Sequence, residues 1–286
     1  MASATDKPSI AWLAFPGSAY LGIVFALPLL ILLTTSFFNS DNQFTLSGYT
    51  AFFSDQYNFR VVLNTLKIAI WVTLICLVVG YAAAFCMARV STVIQGLMFL
   101  VFIIPLSIGV VVKAFAWTIL LRSNGVVNKI LLGLGITDEP IKLLFTETGL
   151  IIAAVHVFIP FMVLPIFAVL RQIDSRLPEA AATLGASPTR TFFKVTLPLT
   201  LPGVVTGCSF VFSMSLSMYV IPSLLIGDRY QTLPALMARA YLFMRDRQSG
   251  SVMAVLLLLM AVTIVIISAM TARRLQKLQT TAVSQA

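Results

Sequence analysis

Six long, unbroken apolar stretches constrain this chain more than any other feature. They run over about Trp12–Ser36, Val61–Ala88, Leu97–Leu121, Gly149–Leu170, Gly203–Ile226 and Val252–Ala272. Each is near the roughly 20 residues that an α-helix needs to cross a hydrocarbon core. Charges or turn formers bound them, among them Asn39-Ser40-Asp41, Arg89, Arg122-Ser123-Asn124-Gly125 and Arg273-Arg274. The runs are continuous rather than alternating, which excludes a β-barrel. Only 10% of residues are charged, against about 25% in soluble domains. The expected fold is an all-α membrane protein with six transmembrane helices, in one domain over residues 1–286. The first stretch outruns the roughly 7–15 residues of a signal-peptide core, so it reads as a span that stays in place.

The net charge is +9, yet the basic residues are scattered. Nucleic acid would require a continuous basic patch with stacking aromatics, so no nucleic-acid partner is expected. Anionic lipid head groups account for the excess. Cys76, Cys86 and Cys208 lie inside apolar stretches without ligand spacing and read as small buried hydrophobes. With the N-terminus inside, inner segments hold 9 basic residues and outer segments 8, with Lys67 and Lys113 inside spans. That margin barely orients the chain. The C-terminal Arg273, Arg274 and Lys277, with no acid beside them, favour the inside.

Between the fourth and fifth stretches, Pro178–Pro198 reads as an ordered helical hairpin. Asp174 or Ser175 can cap its first helix, Pro178 suits the first turn, and Glu179 complements the positive end of the dipole. Ala180, Ala181 and Ala182 favour helix and present a flat surface. Gly185 is a left-handed stop, after which Ser187-Pro188 restarts a helix. Outer segments Gly48–Arg60, Val126–Ile136 and Leu233–Tyr241 are either short surface helices or covering loops.

Gly203-x-x-x-Gly207 opens the fifth stretch, and Ser209, Ser213 and Ser217 follow at four-residue spacing. A helix-packing seam is the first expectation and a serine-lined pore wall the alternative. Pro105, Pro160, Pro165 and Pro222 predict kinks. Ionisable groups within spans are costly and mark candidate functional positions. Lys67, near a span end, can snorkel. Lys113, with Trp117 one turn on, is a candidate for a pathway or gate. His156 either bonds a neighbouring helix or touches solute, and Ser213, Ser217 and Tyr219 complete the candidate pathway set. No metal site is expected around a lone histidine. The chain carries no G-x-x-x-x-G-K-[ST] nucleotide loop, G-x-S-x-G or H-E-x-x-H, so no catalytic residue is assigned. No carboxylate lies securely within a span, which disfavours a stand-alone ion-coupled carrier.

The hairpin carries E-A-A, three residues, G, nine residues, an aliphatic, one residue, then L-P: Glu179-Ala180-Ala181, Gly185, Val195 and Leu197-Pro198. This spacing resembles the cytoplasmic signature of binding-protein-dependent ABC importer permeases, with Val195 where isoleucine is usual. G-V-V-N-K-I-L-L-G-L-G-I, P-F-M-V-L-P and Y-V-I-P-S-L-L-I-G look like the spermidine/putrescine-type group. The resemblance implies a type I importer permease fold with cytoplasmic termini and a coupling-helix loop over 174–200. It implies a second permease subunit of paralogous kind, two ATPase subunits and a periplasmic solute-binding protein. It implies no cofactor on this chain, ATP and magnesium belonging to the ATPase. A polyamine-like solute is the group-level expectation. Lys113 instead suits an opine, an amino-acid derivative or a phosphonate.

Overall fold

A computed structural model describes residues 9–39, 43–174, 176–227 and 231–284. Among them every regular element is helical apart from one isolated bridge, Phe38 to Phe44. Among the described residues, five helices are long and apolar enough to cross a membrane, six if one bent pair counts as a single span. The domain expected over residues 1–286 is described in two compact units, residues 1–59 with 236–256 and residues 60–235 with 257–286.

In the first unit, α1 (Ser9–Phe37) runs into a short turn closed by Thr45 N–H donating to the Phe37 carbonyl at 2.8 Å. The Phe37 ring stacks on Phe44 and tilts against Tyr49 of α2 (Ser47–Ser54), with centroids 5.9 and 5.3 Å away. The buried Ser36 hydroxyl pairs with the Tyr49 hydroxyl at 2.8 Å. Buried Ser251 likewise joins Thr35 and Tyr241 at 2.8 and 2.5 Å. Such pairs satisfy hydroxyls that hydrocarbon cannot.

The second unit is built around α3 (Gln56–Met87), α7 (Glu147–Leu170) and α10 (Leu197–Leu216). The small residues on α10 form the seam that the spacing predicts. A Cβ on Gly203 would lie 2.9 Å from the Pro165 carbonyl oxygen, and one on Gly207 would lie 2.8 Å from Met162 Sδ. From α3, a Cβ on Gly80 would come within 2.9 Å of Met162 Cγ. Three helices therefore close on one flexible thioether, whose unbranched chain fills an irregular gap well. Tyr81 of α3 meets Thr200 of α10, hydroxyl to hydroxyl, at 2.9 Å.

The third apolar stretch differs most from the sequence expectation. It is two helices, α4 (Thr92–Ser107) and α5 (Val110–Leu120), bent by 102° about Ile108-Gly109. Pro105 withholds one backbone donor, and the first turn of α5 restarts at Gly109 without a side-chain cap. The fifth stretch also divides. Its helix stops at Leu216, and Val220–Leu225 forms a separate α11 carrying Pro222. Pro160 and Pro165 stay within one continuous helix.

All three segments expected on the outer side contain helix: α2, α6 (Val126–Gly133) and α12 (Leu233–Arg239). Asn128 of α6 is fully buried; its amide nitrogen donates to the Arg122 and Ile141 carbonyls, and its Oδ1 accepts from Ile141 N–H. Lys67 reaches Glu147 at the start of α7, 2.8 Å away, so its charge is met by a partner as well as by the span end. The last apolar stretch belongs to α13 (Arg247–Ser284).

Candidate functional site

The hairpin is built by local chemistry of the predicted kind. Asp174 Oδ1 accepts from Arg176 N–H at 2.9 Å, at the start of α8 (Arg176–Thr183). Ser175, the other expected cap, lies outside the described residues. At the far end, Gly185 N–H donates to Ala182 and Ala186 N–H to Ala181, at 2.9 and 3.0 Å. These two bonds close a left-handed helix stop, and Gly185 has φ +78°. Ser187 then caps α9 (Pro188–Thr191), its hydroxyl accepting from Arg190 N–H at 3.3 Å. Both ends of α8 and the start of α9 thereby gain capping bonds for groups the helices leave unpaired.

Beyond α9 the chain makes a five-residue π-helical turn, Phe192–Thr196, and continues directly into α10. Val195 sits half-buried in that turn, with Leu197 half-buried and Pro198 exposed just after it. Glu179, Ala180 and Gly185 are exposed and Ala181 half-buried. Leu184 is 88% exposed, an apolar side chain left uncovered at the end of a polar hairpin.

The inner side of the hairpin borders a cavity of about 550 Å³ lined by Phe85, Arg89, Pro178, Ala182, Thr191 and Phe192, among others. The Arg89 guanidinium lies 3.8 Å over the Phe85 ring. Phe192 packs edge-on against Tyr81 and Phe85, with centroids 5.8 and 5.2 Å away. This aromatic clasp joins the end of α3 to the π-helical turn. Sequence reading missed it, although Tyr81, Phe85 and Arg89 recur at four-residue spacing, the first two on one face of α3 and the third in the turn after it.

A second cavity, of about 400 Å³, opens at the break between α4 and α5. Lys113, Ser217 and Tyr219, three of the six pathway candidates, line it together with Gly109, Phe158 and Phe161. The other three are placed differently. Trp117 Nε1 donates to His156 Nδ1 at 3.2 Å, so His156 bonds a neighbouring helix. Ser213 has its hydroxyl oxygen buried without a hydrogen-bond partner among the described residues, and its carbonyl accepts from the Ser217 hydroxyl at 3.0 Å.

An all-helical bundle with a capped hairpin between two of its spans is the architecture of an ABC importer permease. Residues 77–278 match the family described as "binding-protein-dependent transport system inner membrane component", and this chain belongs to that family. It is a multi-pass inner-membrane permease subunit. The spermidine/putrescine transport system permease protein PotB of Escherichia coli (strain K12) is 33% identical over 231 residues, 79% of this chain and 84% of that protein. A permease of Salmonella choleraesuis, PhnU, assigned provisionally to 2-aminoethylphosphonate transport, is 27% identical across 80% of this chain and 82% of its own length. In fold, the chain resembles a crystallised bacterial ABC transporter involved in import of the acidic polysaccharide alginate. The TM-score is 0.77 at 18% identity, covering 93% of this chain and 95% of that one.

Proposed function

We propose that this subunit forms half of the translocation pathway for a small polar organic solute and receives its driving force through the 174–200 hairpin. The observation that carries the reading is the capped hairpin itself. It exposes Glu179, Ala180 and Leu184, and it is continuous with α10 through the π-helical turn. A flat alanine face admits close approach, Glu179 offers a charged anchor, and uncovered Leu184 gains by being buried against a partner. A rigid element joined to a span can pass a partner's movement into the bundle.

In this reading the hairpin and both termini face the cytoplasm. A second permease subunit, two ATPase subunits and a periplasmic solute-binding protein complete the importer. ATP and magnesium act on the ATPase, and this chain performs no catalysis. Similarity to PotB supports a polyamine-like solute as the group-level reading. Lys113 on the cavity wall favours a second reading, an opine, amino-acid derivative or phosphonate carried by the same machinery.

Co-purification tests the coupling role. Glu179→Arg, or deletion of residues 178–186, is expected to abolish retention of the ATPase and solute uptake while the permease remains in the membrane. Retention and uptake that survive both changes refute it. Uptake by this chain alone, driven by an ion gradient and indifferent to ATP depletion, would identify a stand-alone carrier instead.

A further inference from the structure

The cavity at the α4–α5 break has a chemical character of its own. Its wall brings together Ile108, Gly109 and Val110 at the start of α5, the middle of α7 at Val157, Phe158 and Phe161, and residues 217–221, which span the link from α10 and the first turn of α11. Lys113 contributes the one charged side chain among the described residues that line it, and none of them is Asp or Glu. Lys67 has Glu147 as its ion-pair partner. No such pair is formed by Lys113 among the described residues. A lysine within a span is expensive to keep charged. In a cavity with low-dielectric walls and no counter-charge, its field is focused rather than cancelled.

We propose that this cavity is a solute-binding subsite selective for an anionic group, a carboxylate or phosphonate. Lys113 is its charge partner, Tyr219 brings a neutral hydroxyl donor, Phe158 and Phe161 supply apolar lining, and Ser217, whose hydroxyl already donates to the Ser213 carbonyl, shapes the wall. The proposal rests on the reading of this chain as half of a solute pathway, and it narrows the solute class. A free polyamine carries only positive charge and is repelled from this position, whereas an anionic solute, or the anionic end of a zwitterion, is drawn to it.

The test needs no knowledge of the natural solute. In the assembled importer, reconstituted in liposomes with Cys76, Cys86 and Cys208 replaced by alanine, Ser217→Cys supplies a thiol on the cavity wall. Its modification is timed with sulfonatoethyl methanethiosulfonate and with trimethylammonioethyl methanethiosulfonate, each normalised to its rate with a free thiol. The anionic reagent is expected to react about tenfold faster. Lys113→Met should bring the ratio near unity, and Lys113→Arg should preserve it. A ratio at or below unity with Lys113 present overturns the proposal, as does a ratio that Lys113→Met leaves unchanged. Failure of both reagents to reach the thiol also overturns it. A lipid phosphate that neutralised Lys113 would erase the preference and count against the subsite in the same way. ATPase retention on the same samples reports separately on the coupling reading, so the two can fail independently.

Discussion

Gly185→Ala isolates the conformation of the hairpin from its contacts. Gly185 has φ +78°, and nothing lies within 4 Å of where a Cβ would stand. An added methyl group therefore meets no obstacle, and its whole effect is the strain of a left-handed backbone, about 1–2 kcal/mol. At about 1.4 kcal/mol per tenfold, the equilibrium constant for holding the observed angle between α8 and α9 falls roughly 5- to 30-fold. If the ATPase docks on that angle and must select it from a mixed population, its affinity for the membrane-embedded permease should fall by up to the same factor. Titration of purified ATPase onto permease-containing vesicles measures this directly. Asparagine tolerates the left-handed region better than alanine, so Gly185→Asn is expected to lie between wild type and Gly185→Ala. Equal affinity for glycine and alanine, or a weaker asparagine variant than the alanine one, would refute the argument from backbone conformation.

Two further perturbations probe the bundle. Asn128→Ala removes three hydrogen bonds from a fully buried side chain and orphans the Ile141 N–H. A loss of about 2–4 kcal/mol is expected, read as a lower midpoint in thermal denaturation of the purified subunit; no change would mean that water satisfies those groups. Gly207→Ala pushes a methyl group to 2.8 Å from Met162 Sδ and 3.2 Å from the Met162 carbonyl oxygen. It should cost about 1–3 kcal/mol in the same assay. Met162→Ala in the same chain should relieve only the side-chain part, and full additivity of the two losses would contradict the packing described.

Much of the hairpin was legible because its determinants are local. Asp174, Gly185 and Ser187 act within a few residues of their own positions, and each makes the capping bond that its chemistry suggests. The seam at Gly203 and Gly207 was legible for a related reason, since hydrocarbon leaves small residues few roles other than close helix approach. The bend in the third stretch was not. Pro105 signals lost hydrogen bonding, but apolar composition runs unchanged through Ile108-Gly109 and carries no record of a 102° turn. The cavity escaped the same reading because it is assembled from α5, α7 and the 217–221 segment. Lys113, Ser217 and Tyr219 stood out singly as polar groups in apolar surroundings, whereas their meeting depends on tertiary packing. Trp117 and His156, 39 positions apart, pair across helices for a reason equally invisible along the chain.

The helical path from Pro188 to Leu216 covers 29 residues without interruption, roughly 40 Å at about 1.5 Å per residue. Viewed as a beam, it converts angle into travel. With its pivot where Gly203 and Gly207 meet α7, a tilt of about 10° displaces the far end, roughly 16 Å beyond the pivot at about 1.5 Å per residue, by about 3 Å. Because Gly203 and Gly207 seat the beam directly on α7, little play remains at its fulcrum. The far end of that beam, Leu216, leads straight into the Ser217–Ile221 wall of the Lys113 cavity, so a small rotation at the hairpin would become a change in the cavity's width.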